Sequence, residues 1–226
     1  IFSGTYAGSP KIDQRPMPNL VNDYYCTDGL PITTSPLYDP LDKRLNRDPR
    51  ALGTIYFKDD QYLDDPVRIF PGNGPTGFGQ RKYIRRAPDA DGNGISSDGS
   101  QDFYLIRYAD VLLMRAEAMA ETGNEVGAKE LVNQVRARVN MPAVQATEGN
   151  IREVVRHERR VELALEGLRF MDLKRWGTME AAFLRAFSDP VGPYNPQYLG
   201  AKSEVFPIPQ QEIDVNKNLV QHPAWQ

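Results

Sequence analysis

The stretch from Asn150 to Trp176, NIREVVRHERRVELALEGLRFMDLKRW, constrains the fold more than any other part of the chain. Its apolar residues recur about every 3.6 positions, which predicts an amphipathic helix that starts after a capping Asn150 and breaks at Gly167. Glu158 and Glu162 lie four positions apart, in register with the apolar residues, so we expect both carboxylates at the edge of the buried face. Because an unpaired buried charge is costly, both carboxylates need cationic partners.

A second helix is predicted from Asp102 to Thr122, where the sequence has no Gly or Pro and many strong helix formers. Apolar residues surround most of this helix, so we expect it to be largely buried. Arg107 lies in its most apolar part, where a solvated guanidinium would be out of place. We therefore predict that Arg107 or Arg115 pairs with Glu158 or Glu162, because arginine can bind a carboxylate with two hydrogen bonds.

Further helices complete the predicted architecture. Gly123 and Asn124 end the second helix, and Asn124 can cap a third helix from Glu125 to about Val139. The inner face of this third helix is predicted to consist of Val126, Leu131, Val132, Val135 and Val139. Shorter helices are expected at Asp172–Trp176 and Thr178–Phe187. The predicted fold class is mainly α, with two successive helix hairpins that resemble tetratricopeptide-like stacking.

The remaining segments are irregular. Frequent Pro and Gly residues before position 102 exclude long helices and predict an ordered, loop-rich layer over residues 1–101. Residues 102–188 then form the helical hairpins, and residues 189–226 form an extended tail. The short elements predicted in the first and last of these segments are helices at Asn19–Tyr25 and Pro40–Leu45, a turn at Asn46–Arg50, a β-hairpin of Leu52–Phe57 with Gln80–Arg85, and a single-turn helix at Pro209–Ile213.

Composition excludes several classes of function. The formal net charge is −3 and no basic cluster is interleaved with aromatics, so we expect no nucleic-acid partner. A single cysteine, Cys26, allows no intrachain disulfide and no cysteine metal site. No apolar run is long enough to span a membrane. The chain begins at Ile1 without a signal peptide or a lipid-attachment cysteine, and we expect it to be part of a longer protein.

Several motifs, taken in order, resemble the carboxy-terminal half of the SusD/RagB family. The shared segments are NLVNDYYCTDG, NRDPR, YLIRYADVLLMRAEAMAETGN, NQVRARVNMP, RHERRVELALEGLRFMDLKRWG and FPIPQQEIDVNKNLVQHP. They cover essentially the whole chain, and the last two are the most specific. The chain lacks the amino-terminal half, which carries the signal peptide and the lipidated cysteine in this family.

This resemblance implies a non-catalytic surface lipoprotein of a Bacteroidetes-type bacterium, with a SusD-like helical superhelix as its fold. Such a protein binds oligosaccharide or polysaccharide at the outer membrane and passes it to a SusC-like TonB-dependent transporter. The implied partners are the glycan, the transporter and the missing amino-terminal half. The implied lipid anchor belongs to a segment absent from this chain.

Aromatic residues on the irregular segments are the candidate glycan ligands, because sugar rings bind to flat apolar surfaces flanked by polar groups. The competing interpretation is that each ring packs the loop layer onto the helices. No motif of the family fixes these positions. The candidates are Tyr6, Tyr25, Tyr62, Phe70 and Phe78.

A second candidate site is a cation loop. The sequence DADGNG from Asp89 matches the opening of a calcium-binding loop, with Asp89, Asp91 and Asn93 as ligands. The twelfth position is Ser100 where a bidentate Glu is needed, and Asp98 or Asp102 would have to substitute. Calcium is the only cofactor that the sequence suggests, and a solvated Asp/Gly turn is the competing interpretation.

Two other functions are compatible with the sequence. Helix hairpins of this type also build scaffolds that bind only protein. Glu158 and Glu162, one helical turn apart, also meet the spacing of the two carboxyl groups of a glycoside hydrolase. The adjacent Arg159, Arg160 and Arg169 favour ion pairing over catalysis. We therefore expect no catalytic residue.

Overall fold

The computed structural model describes residues 4–6, 9–11, 15–62, 69–72, 74–83, 102–145, 148–187 and 197–226. Within these residues the protein is mainly helical, which confirms the predicted fold class. The chain divides into two compact units, residues 1–169 and 170–226. None of the described helices is long and apolar enough to cross a membrane.

The first unit contains five complete helices and two small antiparallel sheets among its described residues. In chain order, its elements are β1 (Gly4–Tyr6), β2 (Ser9–Lys11), α1 (Pro18–Asp23), α2 (Pro49–Thr54), β3 (Ile55–Tyr56), β4 (Gly79–Gln80), α3 (Tyr108–Glu121), α4 (Glu125–Ala137) and α5 (Ile151–Glu162). The strands β1 and β2 pair with each other, and β3 pairs with β4.

Helices α3, α4 and α5 pack around one hydrophobic core. Polar caps fix where two of them start: the Asn124 side chain accepts a hydrogen bond from the Gly127 amide at 3.0 Å, and Asn150 accepts one from the Glu153 amide at 3.1 Å. Both caps are at the predicted positions. The buried residues of this core are Leu113, Ala116, Ala128, Leu131, Val132, Val135, Ile151, Val154, Val155 and Leu163.

The other side of α5 packs against the loop-rich part of the unit. Its Val161, followed by Ala164 in the adjacent turn, joins a second core together with Val21, Tyr24, Ala51, Ile55, Phe57 and Phe78. The Tyr24 hydroxyl donates a hydrogen bond to the Val161 carbonyl at 3.1 Å, and burial raises the pKa of this hydroxyl. Helix α5 is therefore shared by two cores, which places its polar residues between them.

The predicted hairpin exists but is shorter than expected. Ile55 lies opposite Gln80, and Tyr56 lies opposite Gly79. Leu52, Gly53 and Thr54 were predicted as strand residues but belong to α2. The reason is the cap before them, since the Asp48 side chain accepts a hydrogen bond from the Arg50 amide at 2.9 Å and Pro49 is preorganised for a first helical turn. Residues 84–85 of the predicted partner strand lie outside the described residues.

The helix predicted at Pro40–Leu45 is wrong, because this segment forms turns. Asp39 accepts a hydrogen bond from the Leu41 amide at 2.8 Å, and Asp42 accepts one from the Arg44 amide at 3.1 Å. Such local side-chain bonds to the backbone stabilise turns in competition with a helix.

The helix predicted from Asp102 begins instead at Tyr108. Arg107 is the residue before it and has an extended backbone, with φ −135° and ψ 162°. This conformation accompanies the ion pairs of its guanidinium with Glu162, the last residue of α5, and with Glu166 after it. The prediction of Val126 as an inner residue is also wrong, because its side chain is 71% exposed. Each helical residue turns by about 100°, so Val126 lies roughly 200° around α4 from the buried Ala128.

The second unit contains shorter elements. They are most of α6 (Arg169–Arg175), α7 (Met179–Phe187), α8 (Gln210–Val215) and two 3₁₀ helices at Gly200–Ser203 and Pro223–Trp225. Pro209 precedes α8 as its capping residue, close to the predicted position. The Trp225 indole donates a hydrogen bond to the Val205 carbonyl at 2.7 Å, so this side chain anchors the end of the chain to its own unit.

Candidate functional site

Glu158 lies at the centre of a buried ion-pair network. Its carboxylate is inaccessible to solvent and contacts two arginines. The Arg50 Nη1 donates to one oxygen at 2.5 Å, and the Arg136 Nε donates to the other at 2.8 Å. These arginines come from α2 and α4, so a single side chain of α5 connects the loop-rich part of the unit to the helical hairpin.

Glu162, one turn further along α5, pairs with three arginines. Arg107 donates to one of its oxygens at 2.6 Å, Arg50 donates to the other at 3.0 Å, and Arg138 contacts both at 2.6 and 2.8 Å. The Arg138 side chain is half exposed, whereas the carboxylate of Glu162 is buried. Glu162 is therefore almost fully enclosed by cations.

Glu166 continues the network beyond the end of α5. Its carboxylate pairs with the Lys82 ammonium and accepts two hydrogen bonds from the Arg107 guanidinium, both at 2.8 Å. Arg107 also donates to the backbone carbonyl of Glu162 at 2.7 Å. Lys82 follows β4 and Arg107 precedes α3, so Glu166 connects two segments that are distant in sequence.

Two further carboxylates, of Asp48 and Glu148, accept hydrogen bonds from the remaining donors of Arg50 and Arg136. Asp48 binds Arg50 at 2.7 Å, and Glu148 binds Arg136 with two hydrogen bonds at 2.8 and 2.6 Å. These contacts matter because a buried guanidinium with unused donors would carry a desolvation penalty. Two further pairs hold α5 to its neighbours, Arg159 with Asp110 of α3 and Arg160 with Asp23 of α1.

The pKa shifts follow from this geometry. Burial by itself raises the pKa of the Glu162 carboxyl, but Arg50 and Arg107 outweigh it and lower the pKa from 4.5 to about 2. Burial lowers the pKa of Arg50, but Glu158 and Asp48 outweigh this effect, so the net shift is upward. Glu162 and Arg50 therefore both stay charged at neutral pH.

Ion pairs were predicted among Arg107, Arg115, Glu158 and Glu162, and two of these four residues, Arg107 and Glu162, pair with each other. Arg107 contacts Glu162, whereas the partners of Glu158 are Arg50 and Arg136. Arg115 is exposed on α3 and takes no part in the ion pairs of either glutamate in the described part of the chain, so its predicted role is not supported.

Three arginines that pair with these glutamates were not predicted, namely Arg50, Arg136 and Arg138, and the sequence indicated one of them. Arg136 follows the apolar Val132 and Val135 on the inner face of α4, where a charged residue requires a partner, as was argued for Arg107. The sequence indicated the buried position of Arg50 less clearly, because this position depends on α2, and the residues of α2 were predicted as a turn and a strand.

Three of the candidate glycan-binding aromatics are buried. Tyr62 and Phe70 pack against Tyr56, with ring centroids 5.2 and 5.8 Å from its ring. Phe78 makes an edge contact with Phe57 at 5.6 Å. Tyr62, Phe70 and Phe78 are each at most 8% exposed, so the competing interpretation, that they pack the loop layer, describes them better.

Tyr25 is half-buried and stacks on His157 of α5, with ring centroids 4.1 Å apart. Burial raises the pKa of its hydroxyl to about 12, and the nearby Glu148 adds to this effect. Burial lowers the pKa of His157. Tyr6 belongs to β1, and its side chain lies outside the described residues.

The predicted calcium ligands Asp89, Asp91, Asn93 and Asp98 also lie outside the described residues. Within the part that the structure describes, no three His, Cys, Asp or Glu side chains are placed together to hold a metal ion. Calcium binding by the DADGNG loop stays a prediction.

The chain matches the SusD family over residues 2–225. Among curated proteins it is 31% identical to SusD-like protein P2 of Formosa agariphila over 153 residues, which are 62% of this chain and 28% of that protein. Among solved structures, a SusD-like carbohydrate binding protein of Bacteroides fragilis is 28% identical with a TM-score of 0.63, and the match covers 94% of this chain and 48% of that one.

A second SusD-like protein of Bacteroides fragilis has the same fold, with a TM-score of 0.70 at 24% identity. That match covers 96% of this chain and 47% of the solved one, so the chain spans about half the length of these solved relatives. The match of the family to nearly every residue, together with the shared helical fold, establishes that the chain belongs to the SusD family.

Proposed function

We propose that this chain is part of a surface protein that binds oligosaccharide or polysaccharide and delivers it to a SusC-like TonB-dependent transporter for nutrient uptake. The observation that carries the proposal is membership of the SusD family over residues 2–225, with a carbohydrate binding protein among the solved relatives. Localisation at the outer membrane through a lipid anchor belongs to the same proposal.

The low pKa of Glu162 and the burial of Glu158 support a protein that binds glycan without cleaving it. A glycoside hydrolase needs one carboxyl group that holds a proton near neutral pH and a second that acts as a nucleophile or base. Glu162 has a pKa of about 2 and cannot donate a proton at neutral pH. Glu158 is enclosed between Arg50 and Arg136, which leaves no room for a sugar at its carboxylate.

For the contact with sugar rings, Tyr6 and Tyr25 are the remaining candidates. Burial of Tyr62, Phe70 and Phe78 leaves little ring surface for a ligand. Tyr25 keeps part of its surface accessible, and the stack with His157 holds its ring in a fixed orientation. A fixed aromatic ring loses little entropy on binding, which favours it as a platform for a sugar.

The experiment that tests the proposal is affinity electrophoresis of the protein through gels that contain different polysaccharides, combined with analysis of released sugars. Retardation without release supports glycan binding. Release of sugars would support a glycoside hydrolase, and an absence of retardation in every gel would support a scaffold that binds only protein.

Variants then locate the binding surface. We expect Tyr6→Ala and Tyr25→Ala to reduce retardation on the glycan that the wild-type protein binds. The matched control is Tyr108→Ala, which removes an exposed tyrosine of α3 that is not a glycan candidate. Equal retardation of all three variants and the wild-type protein would exclude Tyr6 and Tyr25 as the platform and leave the ligand surface elsewhere.

A further inference from the structure

The stacked rings of Tyr25 and His157 connect the loop-rich part of the first unit to α5. Their centroids are 4.1 Å apart, and the angle between the ring planes is 22°. Both residues are half-buried, so each has contacts with the protein and with solvent. The imidazole of His157 is therefore the surface on which the Tyr25 ring rests.

The backbone that carries Tyr25 is held independently of its ring. The Asp48 amide donates a hydrogen bond to the Tyr25 carbonyl at 2.8 Å, and the Thr27 amide donates one to the Asn46 carbonyl at 2.7 Å. The preceding residue, Tyr24, is fully buried. A change in the stack thus moves the Tyr25 ring and leaves this segment of the chain in place.

The surroundings of His157 favour its neutral form. Three carboxylates attract an imidazolium at this position, and they belong to Asp23 of α1, Glu148 and Glu158. The guanidinium of Arg136 on α4 repels it. Burial is the largest effect and disfavours the charged ring, so the pKa of His157 lies below its ordinary value of 6.5.

Each of the three carboxylates is already paired with arginine. The pairs are Asp23 with Arg160, Glu148 with Arg136, and Glu158 with both Arg136 and Arg50. A proton on His157 therefore adds a cation to a site whose negative charges are already balanced. Because an uncompensated cation is more stable in water than inside a protein, the charged imidazole gains stability by turning towards solvent.

We propose that the stack of Tyr25 on His157 is an acid-sensitive support for the glycan platform. Neutral His157 holds the Tyr25 ring in a fixed orientation, and protonated His157 leaves the stack and releases the ring. A released ring loses more conformational entropy on binding a sugar than a fixed ring does, so glycan is bound more weakly in acid. The effect on glycan rests on the proposed function, whereas the release of the ring does not.

The direction of the pKa shift gives the pH range of this release. In an unfolded chain His157 takes up a proton near pH 6.5, but in the folded protein the neutral form and the stack persist to lower pH. The Glu162 carboxyl, with a pKa of about 2, stays ionised between pH 8 and pH 5. The Tyr25 hydroxyl, with a pKa of about 12, stays protonated there.

Nuclear magnetic resonance of the 226-residue chain, titrated from pH 8 to about pH 4.5, tests the release without a ligand. The chain has two histidines, and His222→Gln removes the signals of the other one, which is exposed. We expect nuclear Overhauser contacts between the Tyr25 and His157 rings at pH 8. These contacts should disappear with the midpoint of the His157 titration, at a pH below 6.5.

The control is His157→Phe, which keeps a flat ring that does not titrate, so its contacts with Tyr25 should persist over the whole range. Contacts between Tyr25 and His157 that persist after His157 is protonated would overturn the proposal. A His157 midpoint above 6.5 would also contradict it, because the charged ring would then be the form that the fold favours.

Affinity electrophoresis at pH 8 and pH 5, in a polysaccharide that retards the wild-type protein at pH 8, tests the effect on glycan. We expect the wild-type affinity to fall by about threefold or more at pH 5, and that of His157→Phe to change less. An equal loss in both proteins would refute the acid-sensitive support. If every polysaccharide fails to retard the protein at pH 8, the glycan function is wrong, and the ring contacts still decide whether acid releases Tyr25.

Discussion

At the residue scale, the most informative group is the Glu162 carboxylate. It is buried, yet it stays ionised because Arg50, Arg107 and Arg138 all bind it. Removing such a carboxylate leaves several buried or half-buried arginines without a negative partner, and this loss of stability is large. It usually exceeds the net stability that the ion pair adds compared with apolar residues in the same place. The network is therefore required by the fold, even where it adds little net stability.

This arrangement predicts how stability depends on pH. The pKa of Glu162 is about 2 in the folded protein and close to 4.5 when the chain is unfolded. The unfolded state thus binds a proton more readily, so the stabilisation is complete above pH 4.5 and is lost as the pH falls towards 2. The loss attributable to Glu162 is on the order of 3 kcal/mol.

Urea unfolding at a series of pH values between 6 and about 3 measures this dependence. The Glu162→Gln variant is the comparison, because its side chain does not titrate. We expect the free energy of unfolding to fall less steeply with decreasing pH in the variant than in the wild-type protein. Parallel curves would show that Glu162 contributes nothing to the acid sensitivity.

At the element scale, α5 is the helix on which both cores of the first unit depend. Val154 and Val155 pack in the core with α3 and α4, while Val161 packs in the core with α1, α2 and β3. The Asn150 cap fixes where this helix starts, and Gly167, with φ +80°, allows the chain to turn before α6.

We expect Asn150→Ala to lower the free energy of unfolding by about 1 kcal/mol, because the variant leaves the Glu153 amide without its side-chain acceptor. Urea unfolding followed by circular dichroism measures the change. The matched control is Gln134→Ala at an exposed position of α4, for which we expect a change within about 0.5 kcal/mol. An Asn150→Ala variant as stable as the wild-type protein would mean that the cap does not set the start of α5.

The helices themselves were largely predictable from the sequence, because their capping residues and apolar spacing are local signals. The starts of α4 and α5 at Asn124 and Asn150 are examples. The start of α3 was not predictable, because the six residues before Tyr108 have a helical composition. Arg107, the last of these six, is extended and contacts Glu162 and Glu166, which are more than 50 positions away in sequence.

The candidate site was less predictable than the fold. An aromatic residue on a loop has the same sequence signature whether it packs a core or binds a sugar, so Tyr62, Phe70 and Phe78 could not be separated from Tyr25 in advance. The need for cationic partners of Glu158 could be inferred from its register on α5. Which arginines fill that need depends on long-range packing, and Arg50 comes from a segment 108 positions away.

At the scale of the whole molecule, the charged helix of this SusD-family chain is best explained as the centre of a scaffold. The carboxylates of Glu158 and Glu162 in this helix, and of Glu166 just after it, pair with arginine or lysine side chains of α2, of α4, of the segment after β4 and of the residue before α3. Under the proposed function, glycan binds on the irregular segments that this scaffold supports, and the glutamates of α5 have no catalytic role.

The free energy of unfolding of Glu158→Gln, measured by urea denaturation, tests this central claim most directly. A scaffold role predicts a loss of about 3–5 kcal/mol, because Arg50 and Arg136 lose a charged partner in a site without solvent. Glu153→Gln, at an exposed position of the same helix, should change the value by less than about 0.5 kcal/mol. Catalytic carboxylates often reduce stability, so a Glu158→Gln variant that matches or exceeds the wild-type protein in stability would contradict the scaffold role.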